Sequence, residues 1–323
     1  MRCWPKAPPL PDWLQAGGDA VPVAILLSTY NGERFLPEQL DSLLAQTHTA
    51  WTVFWRDDGS SDGTVAVLDA FARGPGLGRC VALGDARGHI GATASFLTLL
   101  RGAPPGVVVA FADQDDVWLP HKLARGLEAL RGAGDDRPAL YFARQILVDE
   151  RLQRLGLSFR LRRAPDFLAS LTQNVATGCT MMLNPPAAGL VARSRAPLAS
   201  LHDWWSYLLV AGADGRLLVD DTPVVLYRQH ASNAVGAPLS LSRRGLAALR
   251  RGPDVFMGVF RSHLATLQEQ PELLSPQARR HVEVIAGAMQ GGPGRRLVAL
   301  RLKGLRRQTW QETLLFRWWF LVG

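Results

Sequence analysis

Three carboxylates within four residues form a dense acidic cluster in this 323-residue sequence. The apolar run 107–112 stops at Asp113, and Asp115 and Asp116 follow after Gln114. Carboxylates this close repel one another and raise one another's pKa unless a cation lies among them. Hard oxygen ligands suit Mg²⁺ or Mn²⁺, and Mg²⁺ is commonly held by one or two carboxylates plus the phosphates of a substrate. The cluster therefore predicts a metal and diphosphate site, with a solvated turn after a strand as the alternative.

A second acidic loop, Asp57-Asp58-Gly59-Ser60-Ser61-Asp62-Gly63-Thr64, follows the apolar run 51–55. Its spacing superficially fits a calcium-binding EF-hand loop, but that loop needs a preceding helix, and residues 51–55 are typical of a strand. Asp62 is expected to cap the next helix. Asp57 and Asp58 instead end a strand, where a carboxylate can accept a hydrogen bond from a base or a sugar.

The segment His202-Asp203-Trp204-Trp205 places one carboxylate beside two indoles at the start of a predicted helix. Aromatic bulk desolvates a carboxylate and raises its pKa toward the range of a general base, and indole faces stack on sugar rings. The alternative is an N-capping Asp203 with tryptophans in the core.

The segment Tyr227-Arg228-Gln229-His230 follows a short predicted strand. A neutral His230 could bind a metal there, and Arg228 could face a phosphate. The alternative is a histidine with a purely structural role.

Hydrophobic periodicity predicts the elements that position these motifs. The apolar run 23–27 ends at Ser28-Thr29-Tyr30-Asn31-Gly32, and leucines with helical spacing follow over 36–44. The same order of strand, loop and helix recurs up to about residue 130, which predicts a parallel sheet with helices on both faces. Ligands of such sheets bind beyond the carboxyl ends of the strands, so the three polar loops should share one rim.

Beyond about residue 140 the alternation weakens, with short strands expected at several places, among them 217–219 and 224–227, and from about Leu239 the pattern is helical. We predict a Pro-rich leader over 1–20, a catalytic domain over 21–236 and a basic helical region over 237–323. Residues 241–323 hold 14 Lys and Arg against 5 Asp and Glu, whereas the first 240 residues are close to neutral. A basic appendage usually meets phosphate, in anionic lipid or in nucleic acid.

The C-terminal segment combines arginines over 295–307 with the aromatic stretch 310–320, which suits the interface of an anionic membrane. The alternative is a helix packed on the catalytic domain, and nucleic-acid binding is disfavoured because no nucleic-acid module appears. Three scattered cysteines fit a reducing cytosol. Because the N-terminus lacks a signal peptide's apolar stretch and no run approaches the roughly 20 residues that span a bilayer, we expect a cytoplasmic protein.

Together and in this order, the motifs resemble those of glycosyltransferase family 2 enzymes with the GT-A fold, over roughly residues 21–235. The matching elements are Ser28-Thr29-Tyr30-Asn31-Gly32, the loop 57–64, Asp113-Gln114-Asp115-Asp116-Val117-Trp118, Thr177-Gly178-Cys179 and the two motifs at 202–205 and 227–230. The resemblance implies an α/β fold with a Rossmann-like mixed sheet and helices on both faces, followed here by the helical basic extension. Within the family, these versions of the motifs resemble bacterial rhamnosyltransferases that build O-antigen and related polysaccharides from dTDP-L-rhamnose.

The resemblance also implies roles for individual residues. Asp203 would be the catalytic base, Asp115 would ligate the metal with His230, and Asp113 would contact ribose or metal-bound water. Asp58 would accept the N3–H of the pyrimidine. The nucleotide-sugar site would comprise Ser28, Thr29, Tyr30, Asp57, Asp58, Asp113 and Arg228. Acceptor or sugar contacts would come from Trp118, Trp204, Trp205, Thr177 and Gly178. Asp116, one residue past the Asp-x-Asp element, is expected to cap or brace the following helix. The loop 88–92 departs from the family pattern, because relatives usually begin this loop with Asn.

The implied activity is the inverting transfer of a sugar, with L-rhamnose expected, to a hydroxyl of a glycan or polyprenyl-linked glycan. The cofactor would be Mg²⁺ or Mn²⁺, and the protein would lie on the inner face of the cytoplasmic membrane with no nucleic-acid partner. A non-catalytic GT-A scaffold is one alternative, and the occupied catalytic positions argue against it. A metal-dependent nucleotidyltransferase is the other, but it gives no reason for the motif at 202–205.

Overall fold

The computed structural model describes residues 21–83, 88–134, 136–230 and 241–323, with the backbone alone over 241–253. The predicted leader 1–20 and the boundary near residue 236 lie outside these residues. The strands are β1 (Val23–Thr29), β2 (Trp51–Asp57), β3 (Cys80–Ala82), β4 (Val108–Ala112), β5 (Val117–Trp118), β6 (Ala139–Val148), β7 (Arg154–Leu157), β8 (Met182–Leu183) and β9 (Arg216–Arg228). The helices are α1 (Leu36–Leu44), α2 (Thr64–Arg73), α3 (Ala92–Gly102), α4 (Lys122–Ala133), α5 (Phe167–Thr172), α6 (Pro185–Arg193), α7 (His202–Gly212), α8 (Leu241–Gln268), α9 (Pro276–Gln290), α10 (Pro293–Ala299) and α11 (Trp310–Val322).

The strands form one mixed sheet with the order β3-β2-β1-β4-β8-β6-β9-β5, and β7 pairs with β6. The first four strands along the chain are parallel, as predicted. Strand β8 runs antiparallel to both β4 and β6, so the strands of the sheet are no longer all parallel beyond β4. The expected mixed α/β sheet is confirmed.

Strand β9 is longer than the sequence pattern indicated. Two short strands were expected, at 217–219 and 224–227, whereas the structure has one strand along β6. The pairing register shifts where Arg144 lies opposite Pro223, because a proline cannot donate to the ladder and is accommodated at a bulge. The apparent loop between the two short strands is therefore an irregularity within one strand.

The alternating side chains of β1 serve two hydrophobic cores. Ala24 and Leu26 belong to the core on one face of the sheet, and Val23, Ile25 and Leu27 belong to the core on the other. Because both faces of this strand are buried, its polar residues are confined to its carboxyl end. This arrangement places Thr29 and the loop after it at the rim of the sheet.

The C-terminal helices pack on the first of these cores. Phe260 of α8 lies against Phe316 and Phe320 of α11, with ring centroids 5.8 and 5.9 Å apart. One side of α11 is therefore packed on another helix of the C-terminal region. No helix within the described residues is long and apolar enough to cross a membrane.

Candidate active site

The loops that follow β1, β2 and β4 meet at one rim, as the sequence predicted. The N–H of Asp58 donates to the main-chain oxygen of Thr29 at 2.8 Å. The Gln114 side chain accepts from the N–H of Tyr30 at 2.8 Å and donates to its carbonyl oxygen at 2.9 Å. A Cβ atom on Gly32 would clash with the Gln114 side-chain amide, so glycine here leaves that amide its place. The Gln114 amide therefore ties the acidic cluster to the loop after β1.

The Asp57 carboxylate organises the second acidic loop. Its Oδ1 accepts from the hydroxyl groups of Thr29 and Ser60 at 2.9 and 2.6 Å. Its Oδ2 accepts from the N–H groups of Gly59 and Ser60 at 3.1 and 2.8 Å. The neighbouring Ser28 hydroxyl donates to Ser95 on α3 at 2.7 Å. These residues of the predicted nucleotide site thus shape the rim through contacts with one another.

The buried Asp58 carboxylate is occupied by protein donors. Arg56 pairs with Oδ1 at 2.6 Å, and the N–H groups of Ile90 and Gly91 donate to the two oxygens at 2.9 and 2.8 Å. Burial acts to raise the pKa of Asp58, but these hydrogen bonds and the Arg56 charge outweigh it, and the pKa is lowered. The loop 88–91, which departs from the family pattern, is therefore held to this carboxylate. Among the predicted nucleotide contacts, the Tyr30 ring is the exposed one, 4.5 Å from the ring of His89.

Asp115 and His230 come together although 115 residues separate them in the sequence. Nε2 of His230 lies 2.8 Å from Oδ2 of Asp115, and the imidazole packs against Phe35 with ring centroids 5.0 Å apart. The segment after β9 thus places the His230 imidazole next to the acidic cluster at the end of β4. The structure thus brings together two of the residues predicted to hold the metal, and their role as ligands stays a prediction.

Asp113 lies in a negative environment at the same rim. Burial and the charges of Asp115 and Asp203 raise the pKa of Asp113 to about 7, and Lys122 acts in the opposite direction. A divalent cation among these carboxylates would relieve their repulsion. The oxygen-rich donor set, with one imidazole, suits Mg²⁺ or Mn²⁺.

Asp116 does not cap the following helix, contrary to expectation. It is fully buried, and Oδ1 accepts from the N–H of Arg228 at 3.1 Å, while α4 begins later, at Lys122. Ligand atoms of Asp113, Asp116 and Cys179 lie within 4.8 Å of one another, so this trio is a second arrangement that could hold a metal. Burial raises the pKa of the Cys179 thiol well above its usual value, which keeps it protonated. The buried Lys122 amine adjoins the trio, so Asp115 and His230 fit a hard cation better.

Arg228 was expected to face a phosphate, but its guanidinium is buried and bonded to the protein. Nε donates to the main-chain oxygen of Asp115 at 2.9 Å, and Nη1 donates to that of Glu150 at 2.6 Å. Nη2 pairs with the carboxylate of Glu38, and the guanidinium lies over the Phe35 ring. In this structure the Arg228 guanidinium therefore holds the main chain of the acidic cluster in place through its bonds to protein groups.

The Asp203 carboxylate lies in the first turn of α7 and is buried. Oδ2 accepts from the N–H of Gly178 at 3.0 Å, and Oδ1 accepts from the N–H of Trp204 at 2.6 Å. Burial raises the pKa of Asp203 to about 6, and these bonds, with one from the Asn174 side chain, limit the rise. This environment matches the expected general base, whose pKa should lie near the working pH. The residue that precedes α7 as its N-cap is Leu201, so Asp203 is not the cap.

The tryptophans expected to stack on sugars are largely structural. Trp118 and Trp205 are buried; Lys122 lies over the Trp118 ring, and Nε1 of Trp205 donates to Ser194 at 2.8 Å. Trp204 is half-buried, and its Nε1 donates to the Ser170 carbonyl at 2.7 Å. Burying an indole gains hydrophobic free energy once its N–H has a partner, so these rings joined the core.

Thr177 and Gly178 lie beside the catalytic candidate. The Thr177 carbonyl accepts from the N–H of Thr180 at 3.0 Å in a short 3₁₀ turn. A Cβ atom on Gly178 would lie 2.7 Å from Nε2 of His202, so glycine lets this turn approach α7. Burial lowers the pKa of His202 to about 3, which keeps this imidazole neutral next to Asp203.

Sequence reasoning missed several residues that support the site. Arg56 balances Asp58, Lys122 lies under the acidic cluster, Glu38 pairs with Arg228, and Asn174 contacts Asp203. One signal was available, because lysine occurs only three times in the sequence and Lys122 falls in an otherwise apolar helical stripe. The other contacts join distant segments and leave no local pattern.

The mixed sheet, with acidic loops at the carboxyl ends of its parallel strands, has the GT-A fold. Residues 24–183 match the family model described as Glycosyl transferase family 2. The chain therefore contains a family 2 glycosyltransferase domain, and its fold is the GT-A fold.

Three relatives show how far the likeness extends. The chain is 25% identical over 233 residues to the dTDP-rhamnosyl transferase RfbG of Shigella flexneri, covering 68% of this chain and 76% of that protein. It is 32% identical over 103 residues to the UDP-Glc:alpha-D-GlcNAc-diphosphoundecaprenol beta-1,3-glucosyltransferase WfgD of Escherichia coli, covering 31% of this chain and 38% of that protein. The crystal structure of S. aureus TarS 1–349 in complex with UDP superposes with a TM-score of 0.55 at 16% identity, covering 84% of this chain and 72% of that one.

Proposed function

We propose that this glycosyltransferase moves a sugar from a nucleotide-diphosphate donor to a hydroxyl group of a glycan, with inversion at the anomeric carbon. The observation that carries the proposal is the pair of Asp203 and the acidic cluster at one rim. The N–H of Gly178 donates to Asp203 at 3.0 Å, and the thiol of the next residue, Cys179, lies within 4.8 Å of a carboxylate oxygen of Asp113, so one short turn links the two carboxylates. An inverting transfer needs a base on one side of the anomeric carbon and a diphosphate site on the other.

In this proposal Asp203 takes the proton of the acceptor hydroxyl as the new bond to the sugar forms. Its raised pKa makes it a stronger base than an exposed carboxylate, while it remains ionised at neutral pH. The N–H groups of Gly178 and Trp204 hold the carboxylate in a fixed orientation. The leaving group is the nucleoside diphosphate, which departs from the opposite side of the sugar.

Asp113, Asp115 and His230 would hold the Mg²⁺ or Mn²⁺ ion, whose positive charge would stabilise the departing diphosphate. The Tyr30 ring, exposed beside His89, would contact the nucleotide base. Thr29, Asp57 and Asp58 would act mainly by shaping the loops around the nucleotide, because the structure engages them with protein partners. Tyr30, Ser28 and the rim carboxylates would complete the donor site.

We propose L-rhamnose from dTDP-L-rhamnose as the donor sugar. Support comes from the version of the motifs at 113–118, 202–205 and 227–230, and from the likeness to the Shigella flexneri dTDP-rhamnosyl transferase. The acceptor would be a glycan or polyprenyl-linked glycan in the synthesis of a cell-surface polysaccharide. The likeness to the Escherichia coli enzyme, which acts on a diphosphoundecaprenol-linked sugar, supports a lipid-linked acceptor.

We place the reaction in the cytoplasm, on the inner face of the cytoplasmic membrane, where a lipid-linked acceptor would be presented. We further propose that residues 21–236 form the catalytic unit and that residues 237–323 form a separate helical region. Two cysteines in the described residues, Cys80 and Cys179, are free thiols, which agrees with a reducing compartment.

The test is a donor screen with the purified protein. The chain is incubated with Mn²⁺, a lipid-linked glycan acceptor and either dTDP-rhamnose or a UDP-sugar, and the released nucleoside diphosphate and pyrophosphate are measured separately. The proposal expects dTDP release that depends on the acceptor and falls by about 100-fold or more in Asp203→Asn. Asp41→Asn, an exposed position on α1, is the matched control and should keep full activity.

Each remaining outcome has a defined meaning. Preferred release from a UDP-sugar would keep the transferase proposal and remove rhamnose. Pyrophosphate release would indicate a nucleotidyltransferase, and no turnover of any donor would favour a non-catalytic scaffold. Turnover by Asp203→Asn within about tenfold of wild type would remove Asp203 as the base.

A further inference from the structure

The C-terminal helix α11 exposes a row of large apolar side chains. Trp310, Leu314, Trp318 and Val322 are each more than half exposed and recur every four residues, so they lie along one side of the helix. On the neighbouring α10, Leu297 and Val298 are also more than half exposed. We call these six side chains the α11 face. Several large apolar side chains exposed on neighbouring helices usually mark an interaction site.

The orientation of the α11 face is fixed by the packing of the rest of the helix. Thr309 and Glu312 form a capping box at the start of α11, and Arg296 donates to the Leu321 carbonyl near its end at 3.1 Å. The other side of α11 buries Phe316 and Phe320 against α8. The apolar row therefore cannot turn inward without breaking this core.

The charge around the α11 face identifies its partner. Residues 291–323 contain seven Lys and Arg and one acidic residue, Glu312, which is used in the capping box. Arg295, Arg301 and Lys303 are exposed on the segment that carries the face. Tryptophans beside cationic side chains are typical of surfaces that bind the headgroup region of an anionic bilayer. A second protein subunit would not require this excess of positive charge.

The residues just before α11 are hydrogen-bonded to the segment that lies next to the candidate base in space. The N–H of Gln308 donates to Oε1 of Gln173 at 3.0 Å, and Thr172 donates to the Arg306 carbonyl at 2.8 Å. Asn174, which follows Gln173 in the chain, hydrogen-bonds to Asp203. The start of α11 is thus connected to the candidate base through two adjacent residues.

We propose that the α11 face, with Arg295, Arg301 and Lys303, is a docking surface for anionic lipid that brings Asp203 to a membrane-borne acceptor. The choice of acceptor rests on the proposed function, whereas the lipid contact does not. Aromatic and aliphatic side chains enter the headgroup region, and the basic side chains pair with lipid phosphates. The catalytic unit is thereby held next to the bilayer.

The test is sedimentation of the full chain with vesicles of phosphatidylglycerol and phosphatidylethanolamine, or of phosphatidylcholine alone. Wild type should bind the anionic vesicles and lose binding in high salt. The double variant Leu314→Ser/Trp318→Ser and the double variant Arg301→Glu/Lys303→Glu should each bind at least about tenfold more weakly. Leu77→Ser, which removes a similarly exposed leucine after α2, is the matched control.

Acceptor-dependent release of dTDP, with a detergent-solubilised acceptor and no vesicles, is measured on the same preparations, because it reports the active site independently of vesicle binding. Vesicle binding without donor turnover would keep the docking surface and reject the proposed function. Equal sedimentation of wild type and both double variants, or no binding by wild type, would overturn the docking surface. A wild-type dimer in analytical ultracentrifugation that Leu314→Ser/Trp318→Ser converts to a monomer, without vesicle binding, would assign the face to self-association instead.

Discussion

The guanidinium of Arg228 donates from Nε to the main-chain oxygen of Asp115 at 2.9 Å, and two residues later His230 contacts the carboxylate of the same Asp115. One segment at the end of β9 thus fixes both the backbone and the side chain of the candidate metal ligand. Arg228 adds a bond to the Glu150 carbonyl and an ion pair with Glu38. The brace connects α1, the turn after β6 and the acidic cluster.

Arg228→Lys should weaken metal-dependent nucleotide binding by roughly tenfold or more, because residues that orient metal ligands contribute that much to affinity. Lysine keeps the charge but cannot bond to Asp115, Glu150 and Glu38 together. The measurement is calorimetry of dTDP binding with Mn²⁺, with thermal unfolding to verify the fold.

Arg34→Lys is the matched control for this brace. Arg34 also lies over Phe35 and pairs with the Glu150 side chain at 2.7 Å, but it is exposed and does not contact the main chain of Asp115 in the described residues. The Arg34→Lys variant should leave the metal-dependent affinity for dTDP unchanged. Equal metal-dependent affinity in folded Arg228→Lys and Arg34→Lys would show that the brace has only a structural role.

Asp115→Ala should abolish the increase in dTDP or UDP affinity that Mn²⁺ produces, because it removes the carboxylate that His230 approaches. Cys179→Ala should retain that increase, since burial keeps the thiol protonated and it is a poor ligand for a hard cation. Calorimetry with and without Mn²⁺ measures both. The opposite result, loss in Cys179→Ala and retention in Asp115→Ala, would assign the metal to the buried trio of Asp113, Asp116 and Cys179.

Gly32→Ala should disrupt the contact between Gln114 and Tyr30 and lower nucleotide affinity by about tenfold, because the added methyl group would displace the Gln114 amide. Gly132→Ala, on α4 with open space around it, is the control and should raise stability by up to about 1 kcal/mol. Fluorescence titration with dTDP and thermal unfolding distinguish the two. Unchanged affinity in Gly32→Ala would mean that the Gln114 amide does not support the donor site.

The stability difference between Asp203→Asn and wild type should depend on pH. Burial raises the pKa of Asp203 to about 6 in the folded protein, above its usual value of 3.8, so the folded state binds this proton more tightly than the unfolded chain. Wild type therefore loses stability as the pH rises through about 6, whereas asparagine cannot ionise. Relative to wild type, Asp203→Asn should gain about 2 kcal/mol between about pH 4.5 and about pH 8.

The measurement for this prediction is urea unfolding in a chelator, so that no metal contributes. Asp41→Asn, exposed on α1, should show no comparable pH dependence. A pH-independent difference for Asp203→Asn would contradict the raised pKa.

The sequence alone determined the fold class and the rim. Apolar runs that end in polar loops predicted β1, β2 and β4, because a strand buried on both faces must place its polar residues at its ends. The parallel order of those strands then required their loops to meet. Helical spacing likewise predicted α1, where Leu36, Leu40 and Leu43 are buried.

Tertiary structure decided which of the singled-out side chains remain available. Trp118 and Trp205 entered the core, Arg228 turned to protein carbonyls, and the pairing of β9 with β6 joined two expected strands into one. It also set which side of α11 is buried against α8 and which is exposed. These outcomes depend on packing and on hydrogen bonds between segments more than 100 residues apart, such as Arg228 and Asp115, and no local pattern in the sequence encodes them.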